Sequence, residues 1–272
     1  GDTRLFGMLH AAAGPARVAY VMSHPFGEEK LWSHRVFVVF ARALASRGIP
    51  VLRFDYTGAG DSSGETAQVS VSTYLDDLGA AVRVLTDRVP GASRIGIVGL
   101  RFGASLAAQF VERERASGAF PKVMHGPLVL WDPVIDGDSY IQELLRINLS
   151  TQLAVYGKVQ ESRDALVERI RQGGIANVEG YEIGLPLLES AALKQLLPAE
   201  GIRHAGGTLV VQIAATEKQK TREDQQQFAA ASNAASFERA LEQPFWREIK
   251  PFCGRAENLQ NLTLKWMEQR HG

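Results

Sequence analysis

The segment Gly99-Leu100-Arg101-Phe102-Gly103 lies between two stretches of different character. Residues 94–98, Arg-Ile-Gly-Ile-Val, form a short apolar run bounded by turn residues and read as a strand. Residues 104–115 repeat small and apolar side chains at helical spacing. A strand that passes directly into a helix must turn sharply, and glycines at 99 and 103 let backbone pass close to backbone there. Such a turn holds its central side chain out beyond the strand's C-terminal end. In this chain that side chain is Arg101.

Working outward, short apolar runs alternate with amphipathic ones. Residues 17–22 read as a strand that ends at Ser23-His24-Pro25-Phe26-Gly27. Residues 33–47 place Val36, Phe37, Phe40 and Leu44 near one helical face, and Gly48 stops that helix. Residues 50–55 are the next strand, and Thr57 to Gly64 is a loop of turn-forming residues. A helix over 71–89 and strands over 127–131 and 208–214 continue the pattern, and 258–270 closes the chain as a helix. A further strand is expected near 245–249, and 229–236 reads as a helix or a loose surface segment. The alternation predicts βαβ units with right-handed crossovers and a mostly parallel twisted sheet, with helices on both faces. Residues 5–9 and 17–22 are expected to form an antiparallel edge. Residues 136–204 break this rhythm, with helical periodicity and no strand signal. The division expected is an α/β core of 1–136 and 206–272, with a helical cap of 137–205 over the strands' C-terminal ends.

Gly-x-x-x-Gly in a strand–turn–helix setting is the frame of the Gly-x-Ser-x-Gly nucleophile elbow, with Arg101 in the serine's place. Phe54-Asp55-Tyr56-Thr57-Gly58-Ala59-Gly60-Asp61-Ser62 resembles the Asp-x-x-Gly-x-Gly-x-Ser loop of α/β hydrolases, and His24-Pro25-Phe26-Gly27 resembles their oxyanion loop. The chain thus resembles the α/β-hydrolase superfamily in its serine-aminopeptidase-like branch. More narrowly, Ser23 to Lys30, Val51 to Tyr56 and Gly99-Leu100-Arg101 are similar to the exosortase A system-associated hydrolases of bacterial polysaccharide gene clusters.

The resemblance implies an acid and then a His after the elbow. Glu217 follows the strand at 208–214 and is the candidate acid. The loop expected to carry the His, Lys250-Pro251-Phe252-Cys253-Gly254-Arg255, has none, and His271 stands next to the chain end. Two of three triad members are missing, which points away from Ser-His-Asp hydrolysis. The remaining candidates are Arg101, as an anion site beside a helix N-terminus, and His24, as a base at the pocket mouth. Phe26, Gly27, Arg101 and Phe102 are expected to border a pocket. For each there is a plainer reading: a surface guanidinium for Arg101, a backbone-bonded imidazole for His24, a solvated loop carboxylate for Glu217. Ser105 reads as a packed hydroxyl, Cys253 as a small buried group, and His34, His125 and His204 as surface or cap residues. Asp132, Asp136 and Asp138 are explained by turn chemistry. Leu144, Leu145, Leu149, Leu153 and Tyr156 are expected to pack cap on core, or else to wall an acyl pocket or a dimer seam.

Thirty basic and thirty acidic residues balance across 272 positions, so no net field draws the chain to nucleic acid. One cysteine, Cys253, excludes an intrachain disulfide and any CxxC motif and fits a cytoplasmic location. No metal site and no cofactor are expected, and no segment reads as a membrane span. Gly1-Asp2-Thr3-Arg4 shows neither Met nor an apolar signal core, as a trimmed terminus would. The expected function is a pocket for a small acyl or anionic molecule. The alternatives are an esterase-like or acyl-transfer enzyme with a non-standard nucleophile, and a non-catalytic pseudo-hydrolase that binds a ligand or partner.

Overall fold

A computed structural model describes residues 3–192, 195–248 and 254–271. Lys250 to Cys253 and the side chain of His271 lie outside the described set. The chain runs through strand β1 (Gly7–His10), β2 (Val18–Ser23), helix α1 (Glu28–Ala45), β3 (Val51–Phe54), α2 (Val71–Arg88), β4 (Arg94–Leu100) and α3 (Phe102–Ser117). A short α4 (Pro121–Met124) leads to β5 (Leu128–Trp131). Then come α5 (Gly137–Tyr156), α6 (Arg163–Arg171), the hairpin β6 (Ala176–Val178) and β7 (Tyr181–Ile183), and α7 (Leu185–Ala191). The chain finishes with β8 (Thr208–Ala214), α8 (Glu223–Ala231), β9 (Ala235–Leu241) and α9 (Glu257–His271).

Among the described residues, seven strands form one sheet in the order β1-β3-β2-β4-β5-β8-β9. All neighbours are parallel except β1, which pairs antiparallel with β3. Side chains alternate between the faces of a strand, and the core divides accordingly. Tyr20, Met22, Val98 and Val211 pack with Phe37 and Phe40 of α1 and Met267 of α9 on one face. Val21, Ile97, Leu130 and Val210 pack with Leu78 of α2, Phe110 of α3 and Phe228 of α8 on the other. Each large side chain buried this way contributes on the order of 1.5–3 kcal/mol. This is the α/β-hydrolase fold, a mostly parallel sheet sandwiched by helices.

Three expectations need correction. Residues 17–22 do not form an antiparallel edge: β2 is interior and parallel to β3 and β4, and β1 alone is the antiparallel edge. Among the described residues the last strand is Ala235–Leu241, and Phe245 and Trp246, expected in a strand over 245–249, sit in a turn that buries both rings, while Ile249 lies outside the described set. Residues 136–204 are not purely helical either, for β6 and β7 form a two-stranded antiparallel sheet.

This insertion is tied back to the core. Glu182 N–H donates to Thr66 Oγ1 at 3.0 Å, and Val71 N–H donates to Ser190 Oγ at 3.0 Å. Asp136 caps α5 by accepting from Ser139 N–H at 2.7 Å. Leu144 and Leu145 are buried and Leu149 is partly so, whereas Leu153 and Tyr156 are exposed, so the apolar stripe packs only over its first half.

Candidate functional site

Residues 99–103 make the sharp turn. Arg101 takes φ 53° and ψ −122°, a conformation rare for a side-chain-bearing residue. A Cβ on Gly99 would sit 2.5 Å from Ala104 Cα, and one on Gly103 would sit 2.3 Å from the His24 carbonyl oxygen. Both glycines are therefore demanded by close backbone approach. Arg101 N–H donates to the Trp131 carbonyl at 2.9 Å, which ties the turn to the end of β5.

Arg101 is 5% exposed, and its side chain lies at the centre of a charged cluster. Its Nε donates to Glu29 Oε1 at 3.1 Å, Nη1 to Asp132 Oδ2 at 3.4 Å, and Nη2 to Glu143 Oε2 at 3.1 Å. Glu29 comes from the first turn of α1, Asp132 from the end of β5 and Glu143 from α5. The guanidinium carbon lies 5.6 Å from the Tyr140 ring centroid and 5.3 Å from that of Trp246. Tyr140 donates its hydroxyl to Glu29 Oε2 at 3.0 Å, and Arg247 pairs with Glu143 Oε1. Asp132, at φ 45°, accepts through Oδ1 from Ile213 N–H and Gln225 Nε2, each at 3.3 Å. Burial works to lower the Arg101 pKa, but Glu29, Asp132 and Glu143 overcome it and raise it, so the group stays a cation. Burial raises the Glu29 pKa against the opposing pull of Arg101 and Tyr140.

This geometry corrects the picture of Arg101 as an open anion site. Three carboxylates take its three nitrogens, and the cluster holds three carboxylates against the two guanidiniums of Arg101 and Arg247. His24 is buried, and both ring nitrogens serve the backbone: Nδ1 donates to the Pro25 carbonyl at 2.7 Å, and Nε2 accepts from Tyr56 N–H at 3.2 Å. Burial, and then Lys30, lower its pKa to about 4. A neutral imidazole with both nitrogens engaged fastens two loops and has no nitrogen left to act as a base. Glu217 is exposed on the loop after β8, where Ala215 N–H closes on Gln219 Oε1 at 2.9 Å and turns the chain outward. The acids that adjoin residue 101 are Glu29, Asp132 and Glu143 instead. Ser105 donates to the Val134 carbonyl at 2.6 Å and is fully buried. His204 is buried too, rather than superficial, with Nε2 donating to the Gly126 carbonyl at 2.6 Å.

A cleft of about 670 Å³ opens over Arg101, walled by Trp32 of α1, Tyr140, Glu143 and Ile147 of α5, and Trp246. Phe26, Gly27 and Phe102 do not border it. They line a separate hollow of about 10 Å³ beside His24 and Tyr181, which has room for little more than one water. The expected single pocket is thus two spaces, and Phe102 meets the cleft only by stacking on Tyr140, with ring centroids 5.5 Å apart. The sequence reading missed Glu29, Asp132, Glu143, Tyr140 and Trp246 as companions of Arg101. No local pattern marks any of them as a partner of Arg101: Asp132 reads as turn chemistry and Trp246 as part of a strand.

The elbow, the sheet order and the position of residue 101 together define an α/β-hydrolase-fold protein. Residues 14–169 match the family model described as serine aminopeptidase, S33, and the chain belongs to that family. It is 25% identical over 212 residues to Esterase EstD of Thermotoga maritima, an alignment covering 76% of this chain and 48% of that protein. The chain therefore spans about half the length of that relative. Among solved structures, Est1E of Butyrivibrio proteoclasticus, with ferulic acid bound, superposes with a TM-score of 0.67 at 13% identity, over 98% of this chain and 96% of that one. The α/β hydrolase GrgF of Penicillium sp. sh18 gives 0.64 at 17% identity, over 99% and 95%. The enol-lactonase of Burkholderia xenovorans LB400 gives 0.62 at 15%, over 98% and 97%.

Proposed function

We propose that this chain is a family member that has given up triad hydrolysis and binds a small organic molecule in the cleft above Arg101. The observation that carries this reading is the set of ion pairs from Arg101 to Glu29, Asp132 and Glu143. Ionised arginine is neither an acyl nucleophile nor a general base at neutral pH, and here each of its three nitrogens donates to a carboxylate. Trp246, on the loop following the last strand, has its ring against the guanidinium, where a hydrolase would bring an imidazole to the nucleophile. Residues 137–205 act in this reading as a cap, since Tyr140 and Glu143 reach down to the elbow.

The ligand class follows from the walls. Carboxylates outnumber guanidiniums around the cleft, so a neutral or cationic ligand is favoured over an anion. Trp32, only partly buried, offers an aromatic face to an acyl or ring portion and to a positive charge, while the rings of Tyr140 and Trp246 are buried against Arg101. The likeness of Ser23 to Lys30 and Val51 to Tyr56 to exosortase A system-associated hydrolases supports a role in a bacterial polysaccharide system. Similarity to an esterase favours a second reading, ester or acyl-transfer chemistry through a nucleophile other than residue 101.

The test uses wild type and Arg101→Ser with short aryl esters, together with a thermal-shift screen of neutral, cationic and carboxylate small molecules. No turnover is expected from either protein, because a serine there lacks an oriented imidazole. Arg101→Ser should also lose about 3–5 kcal/mol of stability in urea, since it leaves buried carboxylates unpaired. Neutral or cationic compounds should raise the wild-type Tm. Efficient esterase activity in wild type would overturn the reading.

A further inference from the structure

A second site lies on the other side of α1, outside the cleft. Val51 of β3 packs into the core beneath α1, and side-chain alternation puts Arg53 on that same face. Its cross-strand partner is Met8 of the edge strand β1, and His10 follows two residues on, again on this face. The helix contributes His34, Arg35, Val38 and Arg42, whose spacing brings them to one side of α1. These seven residues line an open surface hollow of about 500 Å³.

Among the described residues no acidic side chain lines it. Arg53 Nε donates to His10 Nε2 at 3.0 Å, and among the described residues Arg35, Arg42 and Arg53 make no ion pair. The carboxylate that acts on Arg53 and His34 is Asp55, and Lys30 already holds it at 2.8 Å. Arg53 is half-buried, and its neighbours work against one another. Burial, followed by Arg53 and Arg42, lowers the His10 pKa; burial and Arg42 lower that of Arg53 itself. Arg42 and Arg53 repel each other across this recess, Arg35 adds a third cation to its lining, and the partly desolvated Arg53 feels the repulsion at reduced dielectric, opposed only by Asp55, which Lys30 shares. A ligand of opposite charge removes that repulsion. Planar guanidinium forks match the paired oxygens of phosphate.

We propose that this hollow binds a phosphate-type oxyanion carrying two or more negative charges, held by Arg35, Arg42 and Arg53, with Met8 and Val38 beside the ligand's organic part. The same chemistry is offered by a free phosphorylated small molecule and by a phospholipid headgroup. The site is independent of the cleft above Arg101.

The test is isothermal titration calorimetry with pyrophosphate at low ionic strength, alongside co-sedimentation with phosphatidylcholine vesicles made with and without phosphatidic acid. Wild type is compared with Arg53→Gln, with the double variant Arg35→Gln/Arg42→Gln, and with an exposed control, Arg115→Gln. Arg35 and Arg42 are exposed on α1, so the double variant should fold even if the change at Arg53 disturbs the sheet. The expected result is binding by wild type and control and a tenfold or greater weakening in both hollow variants. Pyrophosphate binding that follows this pattern supports a soluble ligand. Binding only to phosphatidic acid vesicles, lost in the same variants, supports a headgroup. No binding in either arm, or equal binding by wild type and the double variant, overturns the proposal.

Discussion

Position 101 and its neighbours form an electrostatic cluster at the floor of the cleft, in which the buried guanidinium of Arg101 pairs with Glu29, Asp132 and Glu143 and leaves an excess of negative charge. Where that cation stands was legible in the sequence, because Gly99 and Gly103 announce a turn that displays its middle residue. Its partners were not, since Glu29, Asp132, Glu143, Tyr140 and Trp246 are scattered along the chain without local pattern. Three-dimensional proximity alone makes them a cluster. At His24 the structure resolves two readings that sequence left open, and the consequence is a pH dependence. Its pKa is depressed to about 4 against an ordinary 6.5, so the unfolded chain binds the proton first. Stability from this residue is fully present above pH 6.5 and is lost as pH falls through the window down to about 4. Urea denaturation should show a loss of about 2 kcal/mol between pH 7 and pH 5 that is absent from His24→Asn. Identical slopes in the two proteins would contradict a buried, neutral imidazole. His10, His34 and His204, shifted in the same direction, remain in both and cancel in the comparison.

The elbow makes its own demand on sequence at the level of elements. An alanine at 103 would drive its methyl into the carbonyls of Ser23 and His24, at 2.4 and 2.3 Å, and so push β2's exit loop off the start of α3. Gly103→Ala should cost about 1–3 kcal/mol, as overpacking does, and more if the turn opens. Gly91→Ala is the comparison, because its Cβ would meet nothing nearer than the Ala16 carbonyl at 3.7 Å, and it should stay within about 0.5 kcal/mol of wild type. Equal effects in thermal melts would contradict the close approach described. Elements with strong apolar period were readable: β8 spans the residues expected, and α1, α2, α3 and α9 differ only at their ends. β9 was not. It is an edge strand reading Ala-Ser-Phe-Glu-Arg-Ala-Leu, with Ala240 alone fully buried, so it lacks the alternation that marks a strand. Phe245 and Trp246 supplied a false strand signal because two buried aromatics in a turn look apolar in any window. The β6–β7 hairpin, three residues to a strand, was too short to register.

For the whole molecule, fold and chemistry come apart. The sheet, the elbow and the loop after β2 are those of a hydrolase family, yet the space above the elbow is walled by carboxylates and aromatic rings around a committed arginine. Among the described residues no helix is long and apolar enough to cross a membrane. The fold was legible because the strand–helix units from β2 to β5, and β8 after the insertion, repeat the same apolar code. The cleft was only half legible: residue 101 was placed at it, but the insertion that walls it was read as helices without knowing which side chains point down. The account rests on the absence of an activated hydroxyl at that cleft. Active-site labelling with a fluorophosphonate, read by intact-mass spectrometry, tests this most directly. Wild-type protein should gain no phosphonyl mass under conditions that fully label a serine esterase, and Arg101→Ser should gain none at a comparable rate. Rapid stoichiometric labelling of the wild type at a single residue would contradict the account and identify a working nucleophile.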